Sequence, residues 1–180
     1  FATKLIKKIS KKTIYIKKNY NDEILILFVG RLLYWKGINI LLKTFKNICD
    51  SKSKKKFKLL IRGNGPKYEK MKNFIVQNNL DNKVIFINKQ KNLKKLYSRS
   101  SLFFFPSLRE TGGMSLLEAM SVGIPPAVIN NGGPGQIVTK DCGIVVNTKN
   151  KNENQVINSF SKKILKLSLN PVKASKYSKN

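Results

Sequence analysis

The stretch RETGGMSLLEAM places Glu110 and Glu118 on either side of a Gly-Gly pair. The chain has only 9 acidic residues against 36 basic ones, so two carboxylates in one short segment invite a chemical reading. Gly112 and Gly113 remove side chains where a helix would begin. The amides of Gly113, Met114 and Ser115 would then be unpaired donors of the first turn, a place for an anion such as phosphate. Glu118 would lie about 6 Å further along the axis. A phosphate repels a carboxylate, but a sugar diol donates to one readily. One site can therefore hold a phosphate on the amides, a ribose diol at Glu118 and another polyol at Glu110. The plainer alternative is that both acids are solvated or paired with Arg109.

Other loops offer compatible chemistry. GRLLYWKG carries Gly30, Arg31 and Lys36, two cations spaced to grip adjacent phosphates past a sharp backbone turn. With so many lysines, a solvated turn explains it equally. RGNGP contains a lone G-x-G, which fits either phosphate binding or a tight turn. NNGGPGQIV adds Gly132 and Gly133, for close approach of backbone to ligand or as an ordinary flexible loop. Asn88, Lys89 and Gln90 could line a base pocket or a turn.

These loops need elements to hold them. EILILFVG, KFKLLIRG, VIFIN, LFFFPS, PPAVIN and the end of GQIVTKDCGIVVN read as apolar strands. Between them lie helical patterns. GINILLKTFKNIC shows an apolar stripe at Ile38, Leu41, Leu42, Phe45 and Ile48. KYEKMKNFIVQNN follows Pro66, NLKKLYSRS is a short helix, and MSLLEAMSVG closes at Gly123. Alternating strands and helices predict an α/β fold: a Rossmann-like, doubly wound parallel sheet of about six strands with helices on both faces. Ligands in such folds bind at the carboxyl ends of the strands, where all these loops emerge. Residues 1–21 read as a basic lead-in or interdomain linker. Residues 22–150 form the Rossmann-like domain. Residues 151–180 form a polar break, a helix in SFSKKILKLSL and a frayed end.

Composition narrows the function. No apolar run approaches the roughly 18 residues a membrane-spanning helix needs. The chain has no histidine, which rules Ser-His-Asp, Cys-His and His-metal sites out of it. Cys49 and Cys142 have no metal or redox spacing and read as reduced thiols of a cytoplasmic protein. The formal charge of +27 rests on 32 lysines and 4 arginines spread along the sequence. That dispersion, with abundant Asn and Ile, fits an AT-rich coding bias and argues against nucleic acid as a partner, since nucleic-acid readers favour arginine. Peripheral attraction to an anionic membrane surface fits better, at the inner face. A basic binding module of this kind, without catalysis, is the alternative to an enzyme.

Taken in order, GRLLYWKG, RGNGP and PSLRETGGMSLLEAMSVGIPPAVINNGGPG resemble the carboxy-terminal, donor-binding domain of retaining glycosyltransferases of GT-B fold. The resemblance is nearest to glycosyltransferase family 4, group 1, and covers roughly residues 24–147. Glu110 and Glu118 stand where that family carries its E-x7-E pair. The resemblance implies that Arg31 and Lys36 hold the nucleotide diphosphate and stabilise the leaving group. It gives phosphate and sugar donors at Gly113, Met114 and Ser115, a ribose ligand at Glu118 and a sugar-side group at Glu110. Asn88 to Lys91 match the region around the base. The implied reaction passes a hexose from a nucleotide-diphosphate sugar to a hydroxyl acceptor, lipid-linked among the options, with no metal or other cofactor. The fold also implies an amino-terminal acceptor domain that this chain lacks, so the chain alone is expected to be inactive. Gln136 departs from the glutamate that many relatives carry.

Overall fold

The computed structural model describes residues 23–87, 93–110 and 112–170. The strands are β1 (Glu23–Val29), β2 (Lys56–Arg62), β3 (Val84–Phe86), β4 (Leu102–Phe105), β5 (Pro126–Ile129) and β6 (Ile144–Val146). The helices are α1 (Ile38–Cys49), α2 (Tyr68–Gln77), α3 (Leu93–Arg99), α4 (Met114–Ser121), α5 (Gly132–Ile137) and α6 (Glu153–Ser168). The sheet runs β3-β2-β1-β4-β5-β6 with every pairing parallel. This is the expected doubly wound α/β architecture.

The strands are apolar throughout because both sheet faces are covered. Ile26, Phe28, Leu59, Ile61, Phe104 and Ile129 face one core, with α1, α2 and α6 against it. Leu27, Leu60, Phe103, Phe105 and Val128 alternate onto the other, against α3 and α4. The apolar stripe predicted for α1 is buried along its whole length. Gly123, just past α4, has φ 70°, the left-handed conformation expected of a residue closing a helix.

Two helices depart from the sequence reading. The segment read as a polar break begins α6. Asn152 accepts from the Gln155 amide while the Gln155 side chain accepts from the Asn152 amide, a reciprocal cap. Val156, Ile157, Phe160, Ile164 and Leu167 then pack into the larger core, with the Phe160 ring 4.9 Å from that of Phe104. GGPGQI, read as a loop, forms α5. Both cysteines are free, Cys142 buried and Cys49 half-buried. The basic lead-in, the Asn88–Lys89–Gln90 loop and the final ten residues lie outside the described residues.

Candidate active site

β1 is central, and its neighbour β4 belongs to the other winding of the sheet. The loops leaving these two strands therefore diverge from one point, the usual ligand crevice of such a fold. After Gly30 the chain crosses the RGNGP loop: Leu32 N donates to Asn64 O at 2.9 Å and Lys67 N to Leu32 O at 3.1 Å. A Cβ on Gly63 would sit 1.9 Å from Gly30 O. The RGNGP glycines thus serve the crossing of two backbones. The β1 loop then makes one 3-10 turn, Tyr34–Lys36, and Gly37, at φ 72°, starts α1.

That turn is tied to the β4 loop. The Trp35 carbonyl accepts from Leu108 N at 2.7 Å, Arg109 N at 3.4 Å and Ser107 Oγ at 3.3 Å. A Cβ on Gly37 would lie 2.0 Å from Pro106 O, so the two loops touch. The β5 loop joins them: Asn131 Nδ2 donates to Leu108 O at 2.8 Å and Gly133 N to Glu110 O at 3.3 Å.

Glu110 sits where these three loops converge. Its carboxylate pairs with Lys36 and accepts from Gly113 N at 3.3 Å. The Lys36 and Glu110 side chains are only 19% and 14% exposed. The Lys36 ammonium also lies 5.6 Å from the centre of the Phe105 ring. Arg109, the partner in the plainer alternative, is exposed, and the ion pair of Glu110 is with Lys36 instead. Of the three amides expected to be open, that of Gly113 is engaged by Glu110. Gly113, at φ 57°, starts α4, and Met114 and Ser115 supply the next two amides. Arg31, in the β1 loop, is exposed, and Gly30 and Gly112 lie within the β1 and β4 loops.

Glu118 lies one turn into α4, away from Lys36. The Tyr97 hydroxyl, from α3, donates to its Oε2 at 2.9 Å. Burial pushes the Tyr97 pKa up, and the hydrogen bond and charge of Glu118 push it further. The nearby Arg62, at the end of β2, opposes this. Among the described residues Arg62 Nε is buried without a partner. Neither Tyr97 nor Arg62 was singled out in sequence. An apolar run ending in arginine at the loop-bearing edge of β2 was the available signal for the second.

The sequence model described as "Glycosyl transferases group 1" matches residues 10–180. The chain belongs to this family of glycosyltransferases. This group 1 chain is 36% identical over 133 residues to an uncharacterized glycosyltransferase of Methanocaldococcus jannaschii, covering 72% of this chain and 33% of that relative. It thus spans about a third of the length of that relative. Its fold matches a mutant of TarM from S. aureus, solved with fondaparinux, alpha-GlcNAc-glycerol and UDP, at a TM-score of 0.74 and 24% identity. That match covers 86% of this chain and 30% of the other. It also matches the C-terminal domain of a group 1 family glycosyl transferase, LpcC, from Francisella tularensis, at a TM-score of 0.72 and 20% identity, covering 87% and 81% of the two chains. At such identities the likeness is one of fold: the group 1 chain has the Rossmann-like half of a GT-B architecture.

Proposed function

We propose that this chain is the donor-binding half of a retaining glycosyltransferase of family 4. It would move a hexose from a nucleotide-diphosphate sugar to a hydroxyl acceptor, in polysaccharide or glycolipid synthesis. The observation that carries the proposal is the convergence of Lys36, Glu110 and the start of α4 at the divergence of the β1 and β4 loops. The structurally similar TarM mutant was solved with UDP, which supports a nucleotide as the kind of ligand.

In this reading Arg31 and Lys36 balance the diphosphate charge as the bond to the anomeric carbon breaks, and the Met114 and Ser115 amides add fixed dipoles. The acceptor oxygen bonds to that carbon on the same face, and its proton passes to the departing diphosphate. Glu118, with Oε2 held by Tyr97, turns Oε1 to the ribose hydroxyls. Glu110 faces the transferred sugar. Asn88, Lys89 and Gln90 remain the candidates for the base side. These charges meet the leaving group without requiring a metal ion. The acceptor site of the whole enzyme would belong to an amino-terminal domain.

Calorimetric titration of UDP, GDP and ADP sugars tests the proposal. One nucleotide is expected to bind this chain, and Arg31→Ala or Glu118→Ala is expected to weaken it about 10- to 100-fold. Folded protein that binds none of them refutes it. EDTA in the same titration checks the metal, and the product's anomeric configuration in the full-length enzyme checks retention.

A further inference from the structure

The Glu110 carboxylate occupies two groups that an anionic ligand of this crevice would need, the Lys36 ammonium and the Gly113 amide. Both side chains of the ion pair are largely shielded from water, so a second anion brought alongside would meet weakly screened repulsion. A diphosphate and this carboxylate therefore compete for one place.

The backbone under Glu110 is held fixed. Its carbonyl accepts from Gly133 N, and a Cβ on Gly132 would lie 2.8 Å from that carbonyl oxygen. The preceding amide, that of Arg109, is bound to Trp35 O. Among the described residues the Glu110 side chain, unlike its backbone, is held only by Lys36 and the Gly113 amide, the same two groups an anion would take.

We propose that Glu110 is an internal stand-in for the donor's diphosphate. Arrival of the diphosphate displaces the carboxylate from Lys36 and the Gly113 amide, and the displacement turns it toward the sugar. The inference rests on the reading of the site as a nucleotide-diphosphate site. Lys36 exchanges one anion for another and is never left buried and unpaired. The free site accordingly binds anions less tightly than its cations and amides would alone, because part of each binding event goes to breaking the existing pair.

Inorganic pyrophosphate and UDP are titrated calorimetrically, at low salt, into the 180-residue chain and into Glu110→Gln. The glutamine keeps the shape and an acceptor for Gly113 N but not the charge. Its pyrophosphate Kd is expected to be about tenfold lower than that of the unaltered chain. Glu153→Gln removes the same charge from the exposed pair with Lys43 and is expected to leave Kd within about twofold. If the unaltered chain binds and Glu110→Gln binds no more tightly, the exchange is wrong and the nucleotide reading stands. If neither protein binds either ligand, both fall. Circular dichroism checks folding, and Glu110→Ala carries the same comparison should the glutamine variant not fold.

Discussion

Glu118 accepts from the Tyr97 hydroxyl at 2.9 Å, and that contact adds to burial in raising the tyrosine's pKa above the ordinary 10.0. The sign follows from which state holds the proton. Unfolded Tyr97 ionises near 10.0 while the folded residue stays neutral to higher pH. Its contribution to stability is thus complete below that pH and declines as pH rises above it. Tyr97→Phe is expected to cost about 1 kcal/mol at neutral pH, from the lost bond to a half-exposed carboxylate. It is also expected to flatten the alkaline loss of stability; urea melts of both proteins from pH 7 to 11 measure both effects. The types and spacing of Glu110 and Glu118 were legible in the sequence. Their partners were not, because Lys36 lies 74 residues from Glu110 and Tyr97 lies 21 from Glu118. Strand order decides those meetings, and no local pattern encodes it.

The connecting loops act as elements because glycine lets them lie against one another. Gly37 combines a left-handed φ of 72° with a virtual Cβ 2.0 Å from Pro106 O. Gly37→Ala is expected to destabilise the fold by at least about 2 kcal/mol in urea melts, since backbone must move. Gly112→Ala, with open space around it, is expected to stay within about 0.5 kcal/mol. The main helices and all strands were readable because their apolar periodicity is strong. α5 was not, since GGPGQI has the composition of a turn and buries only Pro134. The start of α6 was missed for a related reason. Its first turn is polar, and the reciprocal cap of Asn152 and Gln155 stabilises it rather than apolar burial.

At the scale of the molecule, the charge of +27 is spread along the sequence. Exposed lysines include Lys43 on α1, Lys56 and Lys83 at the edge opposite the crevice, Lys94 on α3 and Lys166 on α6. Among the described residues no helix is long and apolar enough to cross a membrane. Vesicles rich in anionic lipid are expected to bind the chain at about 50 mM salt and release it at about 500 mM, with neutral vesicles inert throughout. Absence of binding at low salt would make the charge a property of composition.

Trp35 has one more consequence. It is the only tryptophan in the chain, and the residue is 46% exposed. Its own carbonyl fastens it to residues 107–109, the segment that leads into Glu110. The molecule therefore carries its one indole fluorophore beside these loops. Its emission colour and its quenching by iodide would report on the state of these loops without any added label.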